Sequence, residues 1–140
     1  MTDELLKVLE TDFLPRVSWC GFKILEHEES GSFGNATVVL QQNVLRLRIV
    51  RERSQLFVDF GSVVEPGTWF DSAVVVDYLG LSQDAGFHGR DVRTVLDGLA
   101  SLLKSCWAEL IQHFDPANFS STKKELTLLR DARAAKRLGY

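Results

Sequence analysis

The amino-acid sequence predicts an α+β domain in which helices pack against an antiparallel sheet. Two patterns carry this prediction. Between Val44 and Gly61 apolar side chains alternate with polar ones, which is typical of strands with one buried face. Between Asp91 and Phe114 apolar side chains recur every three or four residues, which is typical of a long amphipathic helix. We therefore expect this helix to cover the apolar face of the sheet.

Four strands are predicted, and they follow one another as a meander. They are Trp19–Glu28, Gly34–Gln41 and the two strands of a hairpin over 44–61 that turns at 51–54. Pairing Gln41 with Val44 and Arg51 with Ser54 would place the apolar residues of the last three strands on one face. On the other face the pairing would bring together Arg46 with Asp59 and Arg48 with Phe57.

Three further helices are predicted from apolar spacing and from the residues that begin or end helices. They are a helix over 3–14 ended by Pro15, a helix over Trp69–Leu79 capped by Thr68, and a basic helix over about 122–138 that begins with a capping box of Thr122 and Glu125. The valine-rich run at 73–76 would also fit a strand. The last helix has a thin apolar stripe, so we expect it to be peripheral.

Composition indicates one ordinary globular domain over residues 1–140. The chain is 45% hydrophobic and 25% charged, and a chain of this length buries about two-thirds of its unfolded surface without help from a metal or a disulfide. Cys20 and Cys106 could form one disulfide, but two buried thiols are the preferred expectation. The acidic N-terminus does not resemble a signal peptide, and no apolar run approaches the length of a membrane span. We expect a cytoplasmic protein without a membrane partner.

Charge is distributed unevenly around a net charge of −3. Residues 41–60 carry four arginines against two acids, and residues 121–140 carry six basic groups against two acids. Most of the remaining chain is acidic. Such a body does not attract nucleic acid strongly, so we expect the partner to be a protein instead.

No arrangement of residues indicates a catalytic, cofactor or metal site. The three histidines, His27, His88 and His113, have no metal-ligand spacing. Cys106 and His113 would lie about 10 Å apart along one helix, which is too far for a thiolate–imidazole pair. Phosphate-loop and dinucleotide fingerprints are missing from the sequence. We therefore expect neither an enzyme nor a bound cofactor or metal.

Two surfaces compete as a protein-binding site. One is the polar face of the sheet, and the other is an acidic rim around the second half of the chain. The predicted binding residues are Arg46, Arg48, Phe57 and Asp59 on the sheet, and Asp71, Asp77 and Asp84 on the rim, beside Asp91. Arginine and aromatic side chains are common anchors of interfaces, so the anchor is placed on Arg48 and Phe57. An acidic body would steer the protein towards a basic partner.

The hairpin carries a resemblance to a class of known proteins. The run from Leu45 to Arg51, the run from Gln55 to Gly61 and the following Trp69-Phe70 resemble a pattern in small bacterial proteins of toxin-immunity or uncharacterised type. That pattern often has glycine where this chain has Ser54. The resemblance covers about a quarter of the chain, and it implies a stoichiometric inhibitor that neutralises a bacterial toxin by direct binding.

Two other functions remain open on the sequence. One is a small enzyme or ligand-binding protein that uses the glycine-containing loop 82–90 with His88. The other is a structural subunit of a larger assembly. A deep pocket with converging polar groups near His88 would favour the first. The oligomeric state is not predicted.

Overall fold

The computed structural model describes residues 4–29, 35–81 and 88–139. Helix α1 combines an α-helical segment Glu4–Val8, a π-helical turn Leu9–Phe13 and a short α-helical segment Leu14–Arg16. A 3-10 turn, Ser18–Cys20, leads into the sheet. The strands are β1 Lys23–Glu29, β2 Ala36–Gln41, β3 Leu45–Glu52, β4 Gln55–Ser62, β5 Phe70–Asp71 and β6 His88–Gly89. The later helices are α2 Ser72–Tyr78, α3 Val92–Phe114 and α4 Phe119–Arg137.

The fold is α+β with an antiparallel sheet, as the sequence predicts. The order of the strands is β1-β2-β3-β4-β5, and β6 pairs with the other end of β4. The predicted meander is therefore confirmed, but β5 and β6 extend it beyond four strands. Each has two residues, which is too short for an alternating pattern to reveal.

The predicted register of both hairpins is wrong by two residues. Leu40 pairs with Leu47, and Leu47 pairs with Phe60. At the β2–β3 turn, the Gln42 side-chain oxygen accepts from the backbone N–H groups of Val44 and Leu45, and the Gln42 N–H donates to the carbonyl of Leu45. The turn therefore lies at 43 and 44, one residue later than predicted. At the β3–β4 turn, only two residues, 53 and 54, lie outside the ladder.

Both residues of the β3–β4 turn have left-handed backbones. Arg53 has a φ of 51° and Ser54 a φ of 66°, which is typical of the tight turns of two-residue hairpins. The ladder therefore continues to the pair Glu52–Gln55. The predicted pairing of Arg51 with Ser54 also implies a two-residue turn, but one residue earlier. A left-handed backbone usually favours glycine or asparagine, so the residue types at 53 and 54 did not indicate that the turn lies there.

The apolar face of the sheet is nevertheless the predicted one. A shift of two residues returns every side chain to the same face, because the period of a strand is two. Nine apolar residues of β2, β3 and β4 are buried there: Ala36, Val38, Leu40, Leu45, Leu47, Ile49, Leu56, Val58 and Phe60. The pairs on the opposite face do change: Arg48 faces Asp59, Arg46 faces Gly61, and Phe57 faces Val50.

Strand β1 begins later than predicted and contains a bulge. Residues 18–20 form the 3-10 turn, so the strand starts at Lys23. The register shifts between Ile24 and Glu26, which leaves Leu25 as the extra residue. As a result, Glu26 pairs with Val39 on the face opposite the core.

The predicted start of the second helix is also wrong. Phe70 and Asp71 pair with β4, and the helix begins only at Ser72. Its cap is Asp71, whose Oδ1 accepts from the backbone N–H of Ala73 at 2.7 Å, and Thr68 lies before the strand. The valine-rich run at 73–76 is helical, because its buried side chains pack on the core.

Helix α1 does not end at Pro15. The N–H of Leu14 donates to the carbonyl of Leu9, five residues back, so the turn before the proline is wider than an α-helical turn. Pro15 has no backbone N–H that would need a hydrogen-bond acceptor, and the wide turn leaves room for its ring. The helix therefore continues to Arg16.

The long helix has its predicted bounds. Asp91 caps it, and it ends at Phe114 before Asp115 and Pro116. Its backbone departs from helical angles only at Cys106, with φ −125° and ψ 21°. The buried apolar side chains of α3 complete the core against the inner face of the sheet.

The last helix is only partly peripheral. It begins at Phe119 rather than near residue 122, and Thr122 is buried instead of capping it. Phe119 and Leu126 are fully buried, with Phe119 5.6 Å from the ring of Phe114. The second half, rich in basic residues, is mostly exposed.

Candidate functional site

The side of the sheet that faces away from α3 carries the cluster of side chains best arranged for binding. We call this side the outer face, and we define it by Glu26, Glu28, Thr37, Val39, Arg46, Arg48, Val50, Phe57, Asp59 and Trp69. A cavity of about 180 Å³ opens on it between β1 and the segment that carries Pro66 and Trp69. Val39, 4% exposed, forms the apolar floor.

Trp69 lies across the sheet and contacts Arg46 and Arg48, the two arginines of β3 on this face. The Cζ atoms of Arg46 and Arg48 are 5.1 Å and 4.9 Å from the centroid of its ring. Such cation–π contacts contribute about 0.5–1 kcal/mol each at exposed sites. The ring reaches β3 because Gly61 of β4 has no side chain: a Cβ at Gly61 would lie 3.1 Å from the ring.

Arg46 is a buried member of this cluster, and its contacts are structural. It is 5% exposed, its Nη1 donates to the carbonyl oxygen of Pro66, and its Nη2 lies 3.8 Å from Glu26 Oε2. Its Nε is buried and has no hydrogen-bond partner among the described residues. Arg46 thus fastens the segment before Trp69 to the sheet.

Arg48 forms an ion pair with Asp59 and does not pair with Phe57, its predicted neighbour. Its Nε and Nη2 donate to Asp59 Oδ2 at 2.9 Å and 2.8 Å. Burial raises the pKa of Asp59, and the hydrogen bond from Arg48 opposes that rise. The ion pair holds the guanidinium of Arg48 in one orientation beneath Trp69, and its side chain remains 35% exposed.

The outer face also carries acidic and apolar groups that a partner could contact. Phe57 and Val50 are half-buried neighbours at one end of the face. Glu26 and Glu28 line the other side, and the side chain of Glu26 is 61% exposed. The carboxylates therefore outnumber the arginines, each of which already has an acidic partner. Arginine, aromatic and acidic groups therefore occur together on this face.

The three described residues of the predicted acidic rim each have a local structural contact. Asp71 caps α2, and Asp77 accepts from Arg133 Nη1 at 3.2 Å. Asp91 caps α3, and its hydrogen bonds, chiefly that from the hydroxyl of Thr94, lower its pKa. Asp84 lies outside the described residues, as does the loop 82–87.

Three residues of the outer face, Trp69, Glu26 and Glu28, were not predicted to lie there from the sequence. Trp69 was assigned to a helix, although a glycine within strand β4 often marks a close approach of another group. Glu26 and Glu28 reach this face only because of the bulge in β1. We find no sequence signal for that bulge.

Three titratable groups within the described residues, Cys20, Cys106 and Tyr78, have a pKa raised by burial. Cys20 and Cys106 are buried free thiols, and burial raises the pKa of both, that of Cys20 to about 12. Burial and Glu125 raise the pKa of Tyr78 to about 12; its hydroxyl donates to Glu125 Oε2 at 2.5 Å. His113 Nδ1 lies 3.3 Å from the same hydroxyl, so these three side chains join α2, α3 and α4.

Within the ranges that the structure describes, no group of three His, Cys, Asp or Glu side chains could hold a metal ion. Among the same residues, no helix is both long and apolar enough to cross a membrane. Comparisons with protein-family models, with curated proteins and with solved structures find no match to the chain. A functional proposal therefore starts from the geometry of the outer face.

Proposed function

We propose that the chain is a non-catalytic protein-binding module and that the outer face is its anchor surface. The observation that carries this proposal is the packing of Trp69 on Arg46 and Arg48. Tryptophan and arginine are enriched among the residues that dominate binding energy at interfaces. Because these side chains are already held on a rigid sheet, a partner would lose little conformational entropy in ordering them.

The charge of the outer face supports a basic partner. Arg46 and Arg48 are matched by Glu26 and Asp59, which leaves Glu28 as an exposed carboxylate beside the cavity. Complementary charge speeds encounter and suppresses wrong partners. The most specific form of the proposal is an immunity-type inhibitor that occludes a basic bacterial toxin domain. It would act stoichiometrically, without a chemical step.

The experiment places a photo-crosslinking amino acid at single surface positions in the native cell. Thr37 and Phe57 report on the outer face, and Leu128, 71% exposed on α4, is the control position. We expect the same protein to be crosslinked from Thr37 and Phe57 and not from Leu128. Crosslinking from Leu128 alone would mean that the outer face is not the anchor.

Binding measurements with the purified partner then test individual residues. Arg48→Ala and Phe57→Ala should each weaken binding by about tenfold or more, as expected for anchors. Glu28→Lys should slow association and reduce its dependence on salt. Glu10→Lys, an equal charge change at an exposed position of α1, is the matched control. It should leave the association rate and its salt dependence nearly unchanged. Equal effects of the two charge changes would contradict a specific role for the outer face.

The alternative functions predict different results. A small-molecule function would give no protein crosslink and a thermal shift with a metabolite. A structural subunit would give crosslinks from Leu128 as strong as those from Thr37. The loop 82–90, proposed for the small-molecule function, is described only from residue 88 onwards.

A further inference from the structure

A second cavity lies between the C-terminal half of α4 and the start of α2. Its volume is about 580 Å³. Ala73 and Val74 form its apolar part, and four basic side chains line it: Arg130, Arg133, Lys136 and Arg137. We call this cavity the basic groove. Among the described residues, one carboxylate, that of Asp71, lines it as well, so positive charge dominates the lining.

The four basic side chains differ in whether they already have a partner within the described part of the protein. Arg133 Nη1 contacts Asp77 Oδ2 at 3.2 Å. Arg130 lies over the ring of Phe70 at 5.5 Å, and its Nε is 3.7 Å from Asp131 Oδ1. Lys136 and Arg137 are exposed and form no ion pair with any residue that the structure describes. Two charges are therefore fixed at one end of the groove, and two are available at the other.

Helix capping explains only part of this arrangement. Basic residues near the C-terminal end of a helix interact favourably with its dipole, and this accounts for Lys136 and Arg137 as residue types. It does not account for Arg130, which lies two turns earlier, or for the placing of all four on one cavity. Arg130, Arg133 and Arg137 follow the three-four spacing that puts side chains on the same helix face.

We propose that the basic groove binds an acidic, extended segment of a polypeptide partner. The residues from Arg130 to Arg137 span about 10 Å of helix axis. An extended peptide places alternate side chains about 6.6 Å apart on one side, so two carboxylates can meet the cations. Apolar side chains between them can contact Ala73 and Val74. Charge complementarity therefore identifies the occupant as a segment rich in Asp or Glu.

A polypeptide fits the groove better than a nucleic acid does. Among the described residues, none of the side chains that line the groove is aromatic, so they offer bases no stacking platform. This inference is independent of the outer face, since the two sites share no residue.

The test uses fluorescence anisotropy with three labelled probes and the full chain. The probes are a short peptide of alternating glutamate and valine, the same peptide with glutamine, and a single-stranded DNA of equal charge. The test variant is the double change Lys136→Gln and Arg137→Gln. The matched control is the double change Lys104→Gln and Lys124→Gln, which removes the same charge at exposed positions outside the groove.

We expect the glutamate peptide to bind and the glutamine peptide not to bind. The Lys136/Arg137 change should weaken binding by roughly fivefold or more, and the control change by less than about twofold. Equal losses in the two variants, or no binding of the glutamate peptide, would overturn the proposal. So would DNA that binds as tightly as the peptide and is lost with the Lys136/Arg137 change. Matching thermal unfolding curves would establish that all variants are folded.

Discussion

Replacing Gly61 with alanine tests whether Trp69 is held as the structure describes. The φ of Gly61 is not left-handed, so alanine can adopt its backbone conformation. At such a position glycine to alanine normally stabilises a protein by about 0.4–1 kcal/mol. Any loss of stability at Gly61 must therefore come from the neighbours of the added methyl group.

Those neighbours leave no room for it. The new Cβ would lie 2.8 Å from the carbonyl oxygen of Thr68, and 3.1 Å and 3.2 Å from two carbons of the Trp69 ring. Overpacking of this kind costs about 1–3 kcal/mol. Lifting the indole would also weaken two cation–π contacts of about 0.5–1 kcal/mol each. Allowing for the backbone gain, we expect Gly61→Ala to lower the free energy of unfolding by about 1–3 kcal/mol.

The assay is urea denaturation followed by circular dichroism, with Gly67→Ala as the matched control. A Cβ at Gly67 would meet no atom within 4 Å, and its φ is not left-handed, so alanine there should be neutral or stabilising. In a Trp69→Ala background the cost of Gly61→Ala should fall, because only the contact with Thr68 remains. If Gly61→Ala proves as harmless as Gly67→Ala, the indole does not lie over β4.

Three other predictions concern the core. Leu102→Ala and Trp107→Ala should each lower the free energy of unfolding by about 2–5 kcal/mol, because each removes packing between α3 and its neighbours. Urea denaturation measures this, and a loss below about 1 kcal/mol would contradict the orientation of α3. Iodoacetamide should label Cys20 slowly in the native protein and rapidly in urea, because burial raises the pKa of its thiol to about 12; rapid native labelling would refute this. Tyr78 should titrate near pH 12 rather than 10 in ultraviolet absorbance, and its contribution to stability, complete below about pH 10, should disappear as the pH rises towards 12. A normal titration would mean that the hydroxyl is not buried against Glu125 as the structure describes.

The sequence predicted which side chains are buried better than it predicted which residues pair. Alternation and helical spacing identify the inner face of the sheet and the bounds of α3, because burial of apolar surface depends on those periods. A register, by contrast, depends on the turns. A shift of two residues keeps every apolar side chain buried, so the pattern alone cannot exclude it. The contacts of the Gln42 side chain and the left-handed backbone of Arg53 and Ser54 decide it instead.

The candidate site was harder to predict because it is assembled from distant segments. Arg46, Arg48, Phe57 and Asp59 were assigned to the correct face, since a strand's period suffices for that. The packing of Trp69 needs β5 to pair with β4 and needs Gly61 beneath the ring. Both are tertiary contacts, and neither has a periodic signal.

Arg46 and Arg48 look equivalent in the sequence, but they contribute differently to a binding surface. Arg46 is 5% exposed and holds the segment that carries Trp69 through its bond to Pro66, so its loss would disturb both stability and the shape of the face. Arg48 remains 35% exposed at its side chain and is held by Asp59 from below. A partner can therefore contact Arg48 directly, while Arg46 affects a partner only through the position of Trp69. Substituting Arg48 therefore tests its contribution to binding, whereas substituting Arg46 would change binding and the stability of the fold together.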